Sequence, residues 1–421
     1  MKIKYTALLV LALLTGSSLC AQLINGVDYS QRVAVSHTFD MTGVDEFGHR
    51  FASEHYSYKD KVTGVEVIAL TTSRHKNSKM YQTHPQWTSD GKYIIFLSDR
   101  IKNREKTSKQ YYAVSTENFE IVQITTGEAV HLFHLGWKDN KAFYFRDNVL
   151  FEFDLGRLLE DSKTQKVKPI SQYEKHIFTL DPNLQPNGSG LDASQERMFI
   201  SARKPDNTNA IYTIDFNKKT ITTVLEVPFR IGHLQANPYK SGEIAYCWET
   251  GGDAPQRIWY LKIDQNQKVT NYPLYTEKPY DWVTHEVFMG PDRMLFHLMG
   301  HIDRLSKNQT GIVSIKTDNT DFKFHGQTDA GGYWHCSPTK DGKWLTGDTF
   351  DGRLYRINAE NPKDVVLLTQ GHRDSNSPFS KEPHLHQNVS PDGKWVLFNS
   401  SYLTENDIML VPLFPKNLNH K

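Results

Sequence analysis

One kind of segment returns through this chain: an apolar or His-bearing approach, a Ser/Pro-Asp-Gly-Lys type of turn, then a short run of aromatic and β-branched residues. Its full form is HPQWTSDGKYIIFLSDR, His84 to Arg100, and it recurs as HCSPTKDGKWLTGDT from His335 and as HQNVSPDGKWVLFNSS from His386. Weaker copies start at His134, Leu191, Gln235 and His285. Their turns fall near Asp90, Asp139, Gln195, Gly242, Asp292, Asp341 and Asp392, a spacing of about 50 residues, which is the period of a propeller blade. Seven copies predict an all-β chain folded as a seven-bladed β-propeller. Such a ring gathers the inner strands of all blades around one axis, so residues distant in sequence can build one site there.

A chain of 421 residues would ordinarily be divided into two or three domains. The repeat overrides that expectation and assigns residues 61–421 to a single propeller. Residues 22–60 show no clear period and read as an extended segment packed on it. The last turn, near Asp392, is followed by only one further strand candidate, Asp407 to Leu413. An early strand at Val65 to Thr72 is therefore expected to complete the final blade, which leaves no open sheet edge. The best helix signal, FDLGRLLEDSK from Phe153, is short enough to be one surface turn.

Lys2 and Lys4 precede an apolar run from Ala7 to Leu14, and Gly16, Ser17 and Ser18 lead to Cys20-Ala21, so residues 1–21 read as a cleavable signal peptide. A periplasmic or secreted protein is expected, with no integral membrane segment in the mature chain. With 49 basic against 48 acidic side chains, no global field favours nucleic acid, and any anionic partner must be met locally. Cys247 and Cys336 remain after the signal; pairing, metal ligation and simple burial are all open to them.

The histidines are unevenly placed. His335 stands just before one repeat turn, and His384-Leu385-His386 just before the next. Residues two apart on a strand project to one face, so three imidazoles from adjacent blades could form a pocket for Mn, Zn or Fe. Unrelated hydrogen-bonded histidines are the other reading. Earlier blades carry His233 in RIGHLQANP, Cys247 and Glu249 in YCWETGG, Arg257 in PQRIWYL and His285 in WVTHEVF. His285 also precedes its turn, which places it on the same central face. Near a metal, a His and an Arg can act on a carboxylated sugar: the imidazole takes the proton beside the carboxylate, and the cations hold the charge that grows there. A structural salt bridge is the alternative role for Arg257. His84 shares the pre-turn position, whereas His131, His134, His297 and His301 gain no partner from spacing.

At these residues the chain resembles the oligogalacturonate lyase family of polysaccharide lyases, from about Arg230 to the C-terminus: IGHLQANP, YCWE, the Arg of PQRIWYL, THEVF, HCSPTKDG and HLH. The resemblance implies a seven-bladed propeller that cleaves a uronic-acid-containing glycan by β-elimination. It implies His285 as the base with Arg257 assisting, and His335, His384 and His386 around a divalent metal, manganese or zinc; His233 and Glu249, grouped with them by position, are expected to bind the substrate. The family's Gln ligand is replaced here by Lys381, with Glu382 or water left to complete the shell. WETGG and WVTHE also resemble secreted lyases that cut ulvan. An acidic poly- or oligosaccharide is the implied partner. Two other functions use the same Asp-Gly turns: a non-catalytic carbohydrate-binding propeller and a TolB-like protein-interaction propeller.

Overall fold

The computed structural model describes residues 46–102, 107–204, 206, 208–250, 254–299, 307–328, 332–373 and 383–416, together with a pair of two-residue strands at Leu23–Ile24 and Val27–Asp28. Residues 1–22, His301, Lys381 and Glu382 lie outside the described residues. Seven antiparallel sheets follow one another along the chain as the blades of a β-propeller, five with four strands and two with five.

Each blade is a meander that starts at the axis. Blade 4 runs Ile231–Ala236, Glu243–Trp248, Ile258–Ile263 and Val269–Pro273, and blade 5 runs Val283–Phe288, Arg293–Leu298, Gly311–Lys316 and Lys323–Gly326. The second strand is the apolar run that follows each turn. In RMLFHL and WVLFNS every residue after the first is buried, because both faces of that strand are covered by neighbouring blades. Between blades 4 and 5 the seam is filled by Ala245, Ile258, Tyr260, Val283, Met294, Phe296 and Val313. The outer strands alternate or lie open, as in Thr220–Val227.

The three full repeat turns share one construction. Thr88, Thr339 and Ser390 donate their hydroxyls to Asp90, Asp341 and Asp392 at 2.6–2.7 Å. Gly91, Gly342 and Gly393 follow with φ of 72°, 67° and 70°, a region that costs glycine nothing. The Asp at the turn therefore closes its own loop.

Ring closure uses both ends of the chain. The early strand Glu66–Ala69 pairs with Asp407–Pro412 on one side and Tyr56–Lys59 on the other. Arg50–Phe51 adds to the outer edge of blade 1 by pairing with Ile121–Gln123. Sheet structure thus includes Arg50–Phe51 and Tyr56–Lys59, inside the segment read as extended and packed on the propeller. One departure concerns FDLGRLLEDSK. It forms a nine-residue helix, Leu155–Lys163, capped by the Asp154 carboxylate, and it buries Leu155, Leu158 and Leu159 against blades 1 and 2. An amphipathic stripe with a core to cover outweighs short length. Among the described residues no helix is long and apolar enough to cross a membrane.

Candidate active site

The backbone amide that opens each repeat turn makes the same hydrogen bond in all seven blades: from Thr88, Gly136, Asp192, Asn237, Met289, Thr339 and Ser390 to the carbonyl that starts the second strand. Four residues before each stands an equivalent position on the inner edge: His84, Leu132, Gly188, His233, His285, His335 and His386. Five of these seven positions hold histidine. In blades 4, 5 and 6 this position falls where the inner strand breaks register, between Gly232 and Gln235, Thr284 and Val287, and Tyr333 and Cys336. His233, His285 and His386 have φ of +46°, +55° and +45°, a conformation that a non-glycine residue adopts at a cost of about 1–3 kcal/mol and that concentrates at functional sites. The bulge aims each ring at the axis.

Four of those rings meet. Centroids are 6.5 Å apart for His233 and His285, 4.2 Å for His285 and His335, and 4.3 Å for His335 and His386. His84 does not join them. The inner strand of blade 1 is only Asn77–Lys79, and the chain then turns, the His84 amide donating to the Tyr81 carbonyl. Gln86 braces that turn by donating to the carbonyls of Tyr81 and His84. Tyr81 consequently takes the axial place, 5.0 Å from His386 and 5.2 Å from His233, while His84 packs 5.2 Å from His134. The result is a closed circuit of five aromatic side chains.

On one side of the circuit lie the residues expected to hold a metal. The ligand atoms of His335, His384 and His386 fall within 4.8 Å of one another. Asp348 fixes His335: its carboxylate accepts from the backbone amide at 2.6 Å and from Nδ1 at 2.8 Å. Both residues are fully buried, and Nε2 of His335 has no hydrogen-bond partner among the described residues. A buried nitrogen aimed inward without a partner, with its other nitrogen tied to a carboxylate, has the arrangement of a metal-ligating histidine. The strand argument for the H-x-H pair does not hold: the strand begins only at Asn388. His384 and His386 converge, 5.3 Å apart, because His386 is left-handed and His384 stacks 4.0 Å from Trp334. Burial drives His335 and His386 well below the ordinary imidazole range, with the neighbouring histidines adding to it, so both present lone pairs. Lys79 is buried nearby and donates to the Met80 carbonyl; burial holds its amine well below the usual range.

On the other side stands a charged group. Nδ1 of His233 lies 3.3 Å from Glu286, and Nε2 lies 3.6 Å from Glu249. Arg257 is 1% exposed and approaches Glu249 at 3.6 Å through Nη2 and Glu286 at 3.8 Å through Nε. Burial pushes the Glu286 carboxyl up, but His233 and Arg257 outweigh it and hold the group well below the usual carboxylate range. The guanidinium thus lies against two carboxylates at ion-pair distance without a direct hydrogen bond to Glu286. Cys247 is a free, buried thiol beside this group, 3.6 Å from Glu249. Cys336 is also free and points at the His285 carbonyl, outside both clusters.

His285 joins the two sides. Its Nδ1–H donates to the Trp334 carbonyl, which leaves Nε2 as a lone pair. Burial lowers its pKa well below the ordinary value, and His335, His297, His233 and His386 lower it further. His297, fully buried 6.2 Å behind it, has no hydrogen-bond partner on either ring nitrogen among the described residues. A neutral imidazole with one nitrogen anchored and one free is equipped to accept a proton.

No family model matches the chain. It is 22% identical over 389 residues to an oligogalacturonate lyase of Dickeya dadantii, covering 84% of this chain and 94% of that protein. This chain resembles the oligogalacturonate lyases. The backbone agrees with that: it superposes on an oligogalacturonate lyase in complex with manganese with a TM-score of 0.73 at 18% identity, covering 88% of this chain and 99% of the other. A Vibrio parahaemolyticus oligogalacturonate lyase gives a TM-score of 0.71, also at 18% identity, over 87% and 98% of the two chains.

All seven residues singled out in the sequence face the same end of the axis or support it: His285 in the circuit, His233 in the circuit with Glu249 and Arg257 beneath, and His335, His384 and His386 alongside. Four functional candidates escaped sequence reasoning. Glu286 and Asp348 left a signal, a carboxylate within an otherwise buried strand, which requires a partner. Tyr81 and Trp334 left none, since nothing in the repeat distinguishes an aromatic ring at the axis from one in the core.

Proposed function

We propose that this protein is a lyase that cleaves a uronic-acid-containing oligosaccharide by β-elimination, with His285 as the base. The observation that carries the reading is the placement of His285: neutral, anchored through Nδ1 to the Trp334 carbonyl, and set between a three-imidazole cluster and a buried carboxylate–guanidinium group. The proton beside a uronate carboxylate is acidified by that carboxylate only when its growing charge is met by cations. Nε2 of His285 removes the proton while the circuit orients the sugar and keeps bulk water from the reacting carbons.

His335, His384 and His386 are the residues that would hold a divalent metal, and the partnerless Nε2 of His335 fits that role. The oligogalacturonate lyase with manganese supports the same class of ion. Bound there, it would supply positive charge for the substrate carboxylate. If Asp348 orients His335 for such an ion, Asp348→Asn is expected to weaken metal binding about 10–100-fold without unfolding the chain. Titration of the chelated, refilled protein with manganese or zinc measures this directly, and an unchanged affinity would remove Asp348 from the site.

The choice between a galacturonate oligomer and an ulvan-type polymer is one of substrate, and the same chemistry serves both. Incubating the purified protein with polygalacturonate, its oligomers, ulvan, alginate and glycosaminoglycans, and following absorbance of the unsaturated uronate product, tests the reading. Absorbance gain on galacturonate oligomers is expected. No gain on any of them, with tight binding retained, would favour a carbohydrate-binding propeller. If residues 1–21 direct export, the substrate is met outside the cytoplasm, and mass measurement of the mature N-terminus checks that.

A further inference from the structure

β-Elimination needs two proton transfers, and the residues assigned so far account for one. His285 takes the C5 proton; the oxygen leaving C4 must gain a proton as its bond breaks, because an alkoxide is a poor leaving group. The side chain that supplies it has to stand across the substrate from His285 and carry an O–H or N–H. Within the circuit, His335 and His386 have their lone pairs turned to the metal cluster, and His233 is held by Glu286 and Glu249. The remaining member, Tyr81, is the circuit's one hydroxyl.

We propose that Tyr81 is the general acid of the elimination, an inference that rests on the lyase reading above. Three features of its position carry it. Tyr81 adjoins His386 and His233, so it faces His285 from across the circuit. It also borders a recess of about 230 Å³ lined by Thr83, His84, Asn187, Ser189 and His233, and by none of His335, His384 and His386. The Ser189 hydroxyl in that recess is buried and has no hydrogen-bond partner among the described residues, a need that a sugar hydroxyl would satisfy. The recess therefore receives the expelled sugar, with Tyr81 at its threshold. Lastly, the turn that delivers Tyr81 is braced by Gln86 from within and by Asn388 of blade 7, which donates to the Gln82 carbonyl at 2.8 Å. A side chain held from two blades is positioned rather than merely nearby.

In the step, the C5–H bond breaks and its proton goes to Nε2 of His285, while the freed pair forms the C4–C5 double bond. The C4–O4 bond breaks, and O4 takes the proton of the Tyr81 hydroxyl. The enzyme is left with an imidazolium and a phenolate. Nε2 of His233 lies 3.4 Å from the Tyr81 oxygen, so the imidazole adjoins the phenolate, and exchange of one proton with solvent at each group completes the cycle. Two separate groups facing each other are what an anti elimination requires, as in a uronate whose O4 is axial.

Tyr81→Phe keeps the ring and removes the donor. Turnover on galacturonate oligomers is expected to fall about a hundredfold or more. On a uronate carrying a nitrophenyl ether at C4, whose leaving group needs no proton, the same variant is expected to stay within a few-fold of wild type. Metal content and melting temperature should match wild type on both. Equal losses on the two substrates, or no loss on the oligomer, would overturn the assignment. A wild-type protein that acts on neither substrate would instead remove the lyase reading, and this proposal with it.

Discussion

Replacing His285 with alanine is expected to lower kcat by about a hundredfold or more while metal content and melting temperature stay at wild-type values. The ring makes one hydrogen bond, to the Trp334 carbonyl, and is not among the fully buried side chains of the core. Besides that bond, its removal loses ring contacts with His233, His297, Trp334 and His335 and leaves the strand pairing of the blade in place. It also takes away the lone pair. Burial and the imidazoles around it hold the His285 pKa well below the ordinary value, which favours the neutral form with its lone pair at neutral pH. Measuring kcat, metal per chain and thermal unfolding on one preparation checks the claim. A folded, metal-loaded variant that kept most of its rate would move the base elsewhere, first to His233.

The second large effect belongs to Arg257. Its guanidinium is buried against Glu286, which is fully buried and ionised. Removing one partner of a buried ion pair strands the other charge at a cost of about 3–5 kcal/mol. Arg257→Met is thus expected to lower unfolding free energy by that order and to impair turnover. Adding Glu286→Gln, which removes the stranded charge, is expected to recover much of the stability but not the activity. Denaturant unfolding of the single and double variants separates the two roles. If the single variant lost under about 1 kcal/mol, the pair would not be structural in this sense. A direct contact between Arg257 and substrate, the role expected from sequence, would show instead as a rise in KM with stability unchanged.

The blades were legible because they rest on local chemistry repeated seven times. A hydroxyl, an Asp and a left-handed Gly close the turn at Thr88 to Gly91, Thr339 to Gly342 and Ser390 to Gly393. A buried second strand follows, and both constraints operate within a dozen residues. Closure by Glu66–Ala69 was legible for a related reason: a last blade short of strands would expose an edge. The neighbourhood of His285 and His335 followed as well, since equal distance from equivalent turns places residues at equivalent points around an axis.

What sequence could not supply was direction. The convergence of His384 and His386 was expected from strand alternation, yet His386 sits in a left-handed bulge and His384 is held by Trp334. His84 fits the repeat perfectly in spacing, but a turn closed by Gln86 rotates it to His134 and brings in Tyr81. Arg257 was legible as a cation near the site; its burial against Glu249 and Glu286 depends on blades 4 and 5 packing together. The sequence by itself determined the number of blades, their turns and the equivalent positions before those turns, because those depend on local hydrogen bonding and period. Only the tertiary structure decided which rings meet, which nitrogen is free and which charges are paired, because those depend on left-handed bulges and on desolvation between blades, and neither leaves a mark on spacing.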